Sequence, residues 1–238
     1  MDRIAVLSWS NQLRTYSSIN HAVYCRRHGY TYIYDTAPVL EPINIYYGKI
    51  LKIQKFMELF DWVFWIDDDA FFTDLDAPLT GFLEDPGAES AHLVICKSPV
   101  NEGKFTYVSS GQFFIRNTAE SMEFLDAVLR LPREEIQQNW NEPAYGIYTQ
   151  GDQDAIIHLL NRDSRFTAPF VHLMEYEKFN CRPFHYESSV DEHFLVHFTG
   201  QNKGALVKAF ADRMHSNLAL LNDSLVPEMY RNTVKAGG

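Results

Sequence analysis

The stretch Asp61-Trp62-Val63-Phe64-Trp65-Ile66-Asp67-Asp68-Asp69-Ala70-Phe71-Phe72-Thr73-Asp74 carries an apolar, β-branched and aromatic run straight into three adjacent carboxylates. Val, Phe, Trp and Ile suit a pleated surface covered on both faces, so the run predicts a buried strand. The carboxylates then stand at the strand's C-terminal end, where open α/β sheets bind ligands. On an extended backbone side chains alternate, which sends Asp67 and Asp69 to one side and Asp68 to the other. Two carboxylates converging beside an apolar core repel by roughly one to several kcal/mol, depending on the local dielectric. A divalent cation removes that repulsion. Oxygen ligands suit Mg²⁺ or Mn²⁺, and such ions commonly bridge to phosphate oxygens. The arrangement is therefore suited to holding a nucleotide diphosphate through a metal. An Asp triplet can also be a solvated loop or a helix cap. Neither needs large apolar residues directly before it and Ala70-Phe71-Phe72 directly after.

The rest of the chain frames this strand. Its 238 residues, 46% hydrophobic, contain no Pro/Gly/Ser-rich linker and no repeat, and read as one domain. A formal net charge of −10 argues against nucleic acid or an anionic membrane as partner, but leaves room for a local basic pocket. Cys25, Cys96 and Cys181 are odd in number and far apart, which predicts neither a zinc site nor a disulfide framework and fits a reducing compartment. No run approaches the roughly 18 apolar residues of a membrane span. The expected location is cytoplasmic, of bacterial or viral type, or else the chain is a catalytic domain without its membrane anchor.

Ile4-Ala5-Val6-Leu7 reads as a first strand, with Ser8, Trp9, Ser10 and Asn11 as its ligand-facing loop. A helix over 17–28 ends at Gly29, and Tyr30–Tyr34 forms the second strand. Pro38 and Pro42 mark a loop, and 47–60 has helical periodicity. Strand, helix, strand, helix, strand predicts parallel pairing through crossover helices. Further strands are expected at 92–96, before Arg116, and at 194–198. Asn117 is placed as a helix cap with Glu120 as its capping-box acid. Asp152-Gln153-Asp154 is expected to precede a short helix over 155–160, with Asp152 a possible cap, and a last helix to cover about 205–221.

These residues resemble glycosyltransferase family 34, which holds fungal galactosyl- and mannosyltransferases and plant xyloglucan xylosyltransferases. Trp65-Ile66-Asp67-Asp68-Asp69-Ala70 is similar to the family's Trp-Met-Asp-Ser-Asp-Ala, with Asp68 in place of Ser. Residues 20–30, Tyr47-Gly48-Lys49-Ile50, and Ser110-Gly111-Gln112-Phe113-Phe114-Ile115-Arg116-Asn117 resemble three further motifs, with Ser110 in place of Asn. Asp152-Gln153-Asp154-Ala155 and His197-Phe198-Thr199-Gly200 resemble two later ones, both shared with family 8. The resemblance runs from about residue 3 to 204 and implies a GT-A fold. This is a single Rossmann-like domain with a mixed, mostly parallel sheet: a nucleotide-binding half over about 1–115 and an acceptor half over about 116–238.

The resemblance also implies a nucleotide-sugar donor, most simply a UDP-sugar, a glycan or other hydroxyl acceptor, Mn²⁺ with Mg²⁺ as alternative, and retention of anomeric configuration. It places Asp67, Asp69 and His197 on the metal. Asp68, Lys49, Ser110, Gly111, Gly200 and Lys203 fall on the metal-bound donor, with Lys203 on the β-phosphate. Asp152 and Gln153 line the donor sugar. The contact of Ser8 to Asn11 with base and ribose rests on fold position. Two other classes compete: a nucleotidyltransferase, and a non-enzymatic Ca²⁺- or sugar-binding module. The first usually carries a glycine-rich basic loop after its first strand, and residues 8–14 have no glycine. The second spaces its carboxylates along a glycine-containing turn, which 67–72 lacks. The oligomeric state and the acceptor stay open.

Overall fold

The computed structural model describes residues 2–40 and 44–225; Pro42 lies outside them. The chain order is β1 (Ile4–Trp9), α1 (Ser17–His28), β2 (Thr31–Asp35), α2 (Gly48–Met57), β3 (Trp62–Ile66), β4 (Ala70–Phe72), α3 (Thr80–Leu83), β5 (Leu93–Cys96) and β6 (Gln112–Arg116). There follow α4 (Ala119–Arg130), α5 (Arg133–Gln138), α6 (Glu142–Tyr145), α7 (Asp152–Arg162), β7 (Val171–Met174), β8 (Leu195–His197) and α8 (Lys203–Arg213). Six strands form one sheet in the order β2-β1-β3-β6-β5-β7. β1 pairs in parallel with β2 and β3, and β5 with β7, while β6 runs antiparallel to both its neighbours. The sheet is mixed and mostly parallel, as expected.

The aromatic run of β3 is buried on both faces. Val63 and Trp65 pack with Ile50 and Ile53 of α2, Phe124 of α4 and Ile156 of α7. Trp62, Phe64 and Ile66 pack on the other face with Tyr24 of α1, Phe72 and Phe179. Each such side chain, fully buried, contributes about 1.5–3 kcal/mol. The element that matters most for the site is the smallest. β4 leaves the sheet and pairs antiparallel with β8, setting Ala70 opposite His197. Phe71, Val196 and Phe198 then make a third apolar cluster with Val207 and Phe210 of α8.

Several local expectations are corrected. Asn117 does not cap α4. Thr118 does, accepting from the Ser121 N–H at 3.2 Å, while Asn117 donates to the Phe60 carbonyl at 3.0 Å. The helix expected over 155–160 begins three residues earlier, with Gly151 at its cap, so Asp152 and Asp154 lie in its first turn and suit the helix dipole. The last helix stops at Arg213 rather than continuing to 221. Asn217 Oδ1 accepts from the Ala219 and Leu221 N–H groups at 2.9 and 3.3 Å, a local alternative to helical bonding. Ala219, Leu220 and Leu221 still pack back on the domain. Strands β4 and β7 went unread in the sequence. Cys25, Cys96 and Cys181 are buried free thiols.

His21 of α1 ties that helix to the start of β4. Its Nε2 donates to the Ala70 carbonyl at 2.8 Å, and Tyr32 Oη lies 3.3 Å from Nδ1. Burial lowers its pKa from 6.5 to about 4, against a smaller opposing effect of the Ala70 bond. A lowered histidine binds its proton more weakly folded than unfolded, so stability is full above the unfolded pKa and is lost as pH falls from about 6.5 towards 4. Between about pH 7 and pH 5 this group alone costs roughly 2 kcal/mol. Denaturant unfolding of wild type and His21→Gln at the two pH values checks it: the variant's acid loss is smaller by that amount. Equal losses would contradict it.

Candidate active site

The three carboxylates leave β3 in a tight turn rather than on extended backbone: the Ala70 N–H donates to the Asp67 carbonyl at 3.1 Å. The separation of side chains holds nonetheless. Asp68 accepts from Ser10 Oγ at 2.7 Å, and its carbonyl accepts from Thr15 and Ser17 hydroxyls at 2.7 and 2.6 Å. That pins the turn to the loop after β1. Burial raises the Asp68 pKa. Asp68 is thus a fastening of the turn rather than a member of the donor cluster.

Asp67, Asp69 and His197 form that cluster, with one ligand atom from each all within 4.8 Å of one another. Asp69 and His197 are both buried, their side chains 3% and 7% exposed, and His197 Nε2 stands 3.3 Å from Asp69 Oδ1. Asp69 Oδ1 is buried and accepts no hydrogen bond. Burial alone would raise the Asp69 pKa. His197 and Lys203 outweigh it and hold the carboxyl well below its usual range. Burial lowers the His197 pKa, partly offset by Asp69. Two carboxylates, one imidazole and an orphaned buried oxygen fit a divalent ion that accepts mixed N/O ligands, as Mn²⁺ does. Gly111 makes room for the imidazole: a Cβ there would lie 2.4 Å from His197 Cε1.

Lys203 opens α8 behind Asn202, whose φ is +58°, and Gly200, whose φ is +94°. It ion-pairs with Asp69. Lys49 is buried between two carboxylates, with Nζ 3.2 Å from Asp67 Oδ1 and 3.4 Å from Asp152 Oδ2. It also donates to the Ser110 carbonyl at 2.9 Å. Burial would lower the Lys49 pKa, but Asp152 and Asp67 together raise it, so the ammonium stays charged. Burial raises the Asp152 pKa against the pull of Lys49. Gln153 Oε1 accepts from the Ser110 N–H at 3.0 Å. Asp154 turns away, taking the Thr149 and Gln150 amides and the Thr149 hydroxyl.

These groups wall a cleft of about 790 Å³ that also holds Gly111, Gly200, Ser110 and Gln153. Five cations line it (Arg14, Lys49, Lys104, Arg182 and Lys203) against four acids (Asp67, Asp69, Glu102 and Asp152), a locally basic pocket in an acidic chain. Ser8, Trp9, Ser10 and Asn11 are not among its walls, contrary to expectation. The reason is that β1 runs two residues further than read. Ser8 is fully buried in the sheet, Trp9 Nε1 donates to the Ala37 carbonyl at 2.9 Å, and Ser10 is spent on Asp68. Arg14, Tyr46, Arg182 and residues 98–106 were missed. Arg182, in Asn180-Cys181-Arg182-Pro183, carried no motif; its burial beside His197 exists only in the fold.

This architecture is that of the GT-A glycosyltransferases. A glycosyltransferase involved in glycosylation of the major capsid of PBCV-1 superposes with a TM-score of 0.64 at 19% identity, over 89% of this chain and 98% of that one. The glycosyltransferase GlyE of Streptococcus pneumoniae gives a TM-score of 0.57 at 14% identity, over 98% of this chain and 64% of that one. The sequence model of the galactosyl transferase GMA12/MNN10 family, glycosyltransferase family 34, matches residues 8–100 of this chain. Xyloglucan 6-xylosyltransferase 4 of Arabidopsis thaliana is 31% identical over 156 residues, 59% of this chain and 29% of that protein. Galactomannan galactosyltransferase 1 of Cyamopsis tetragonoloba is 27% identical over 191 residues, 70% of this chain and 42% of that protein. The chain thus spans less than half the length of these relatives. No helix among the described residues is long and apolar enough to cross a membrane.

Proposed function

We propose that this chain is a metal-dependent, retaining glycosyltransferase that moves a pentose or hexose from a UDP-sugar to a hydroxyl of a glycan acceptor. The observation that carries the reading is the buried Asp67–Asp69–His197 cluster at the end of β3, inside a basic cleft. Asp67, Asp69 and His197 would hold the divalent ion, Mn²⁺ by ligand chemistry. Such an ion supplies Lewis-acid stabilisation of the leaving diphosphate. Lys203 brings a second positive charge to the same side of the cleft, suited to the charge that grows on the leaving oxygen. Gly111 and the Ser110 backbone let the sugar approach closely, and Gln153 fixes that backbone through the Ser110 N–H.

Retention is favoured by where the acids are spent. Inversion needs a carboxylate free to take the acceptor's proton. Asp67 and Asp69 belong to the metal cluster, Asp152 faces Lys49, and Asp154 is saturated by backbone amides. Glu102, the remaining acid of the cleft, stands on an exposed turn. Incubation with a panel of nucleotide sugars, a xyloglucan- or mannan-type oligosaccharide and Mn²⁺ tests the proposal. Acceptor-stimulated release of UDP is expected, with NMR of the first-formed glycoside showing the α-anomer from an α-linked donor. A β-linked product would mean inversion and reassign Asp152. Transfer of the nucleotidyl group with release of a sugar 1-phosphate instead would support the nucleotidyltransferase alternative.

A further inference from the structure

His197 has two ring nitrogens, and a metal can take only one that carries no proton. Nε2 faces Asp69; Nδ1 faces inward, towards two residues of the 180–182 segment. Asn180 Oδ1 lies 3.4 Å from Nδ1, and Arg182 Nη1 lies 3.2 Å from it. The same Arg182 Nη1 donates to Asn180 Oδ1 at 2.5 Å and to the Asn180 carbonyl at 3.0 Å. Asn180 Nδ2 donates to the Lys97 carbonyl at 2.9 Å, which sets the amide's orientation and leaves Oδ1 towards the imidazole. Asn180 is fully buried and Arg182 nearly so. The segment is held against β8, because the His197 N–H donates to the Cys181 carbonyl at 2.8 Å. Nothing in the motifs around His197 pointed to either residue.

We propose that Asn180 is a positioning residue for the metal site: its Oδ1 accepts the Nδ1 proton of His197 and thereby presents an unprotonated Nε2 beside Asp69, with Arg182 and the Lys97 carbonyl holding the amide in place. The inference rests on the reading of Asp67, Asp69 and His197 as metal ligands. Its chemical ground is general. A histidine ligand is oriented by an acceptor on its other nitrogen, and loss of that acceptor lowers metal affinity about 10- to 100-fold. Arg182 Nη1, a donor, would favour the opposite tautomer if it met Nδ1 alone. Asn180 Oδ1 engages that donor and offers the imidazole an acceptor instead.

The test compares Mn²⁺ binding, read by the EPR signal of free Mn²⁺, in wild type, His197→Ala, Asn180→Leu and Asn180→Asp. Asn180→Leu removes the acceptor and is expected to weaken Mn²⁺ binding about 10- to 100-fold. Asn180→Asp keeps an acceptor but cannot donate to the Lys97 carbonyl, so it loses thermal stability while binding Mn²⁺ at least as tightly as wild type. If Asn180 were merely structural, affinity would follow stability and the Asp variant would bind as poorly as the Leu variant, which would overturn the inference. Wild-type affinity in both Asn180 variants would overturn it too. The ¹⁵N shifts of His197 in the Mg²⁺-loaded wild type give a readout that needs no Leu variant to fold. A protonated Nδ1 is expected, and a protonated Nε2 would contradict the assignment. Unchanged Mn²⁺ affinity in His197→Ala marks a different failure, that of the metal-site reading itself.

Discussion

Asp69→Asn is expected to lower sugar transfer on the order of a thousandfold, because it removes the anionic ligand that the cluster depends on most. Asp69 is the acid that both His197 and Lys203 face, and its Oδ1 is buried without a hydrogen bond. A carboxamide has nearly the same shape, so packing survives. What disappears is the charge. Lys203 loses its ion-pair partner, but its side chain is 26% exposed and water takes up the ammonium. The change in unfolding free energy is therefore expected to stay within about 1 kcal/mol. Initial rates at saturating donor, paired with a thermal melt, check both halves. A variant that keeps more than a tenth of the wild-type rate would contradict the role given to Asp69.

The second large effect comes from a residue with no side chain. Gly111→Ala places a Cβ 2.4 Å from His197 Cε1 and 3.0 Å from both ring nitrogens. The imidazole cannot retreat freely. Arg182 and Asn180 stand behind Nδ1, Asp69 stands at Nε2, and the backbone is fixed in β8. The ring or the Gly111 backbone must shift, and a displacement of about an ångström in the site costs on the order of a hundredfold in turnover. Mn²⁺ affinity should fall with it, while overpacking lowers stability by about 1–3 kcal/mol. Titration of Mn²⁺ against Gly111→Ala separates this from a general loss of fold. Wild-type Mn²⁺ affinity in a folded variant would show that Gly111 is not there for the imidazole.

What the sequence disclosed follows from how local each signal is. The β3 run and the Asp triplet are contiguous, so their burial and chemistry are visible in one window, as is the crossover pattern of β1, α1, β2, α2 and β3. Asp67, Asp69 and His197 were readable together only through the family resemblance, since β4 and β8 that join them are three residues each and carry no periodicity of their own. Lys49 was legible as a helix residue near the donor. Its enclosure by Asp67 and Asp152 was not, because that pairing is made by α2, β3 and α7 meeting in space. The errors had local causes too. β1 runs two residues further than read, which buries Ser8 and leaves residues 8–11 outside the walls of the cleft. Asn180 and Arg182 are invisible to pattern altogether, because their meaning depends on facing His197 from another segment.

The central claim is that Asp67, Asp69 and His197 join the protein to a nucleotide diphosphate through a divalent ion. Calorimetric titration of UDP into the protein with saturating Mn²⁺, and again in excess EDTA, tests it most directly. Without metal the diphosphate meets Asp67 and Asp69, to which Lys49 and Lys203 are already paired, and repulsion opposes binding. Affinity at least about a hundredfold tighter with Mn²⁺, a difference of about 2.7 kcal/mol, is the predicted result. Equal UDP affinity in Mn²⁺ and in EDTA would contradict the account.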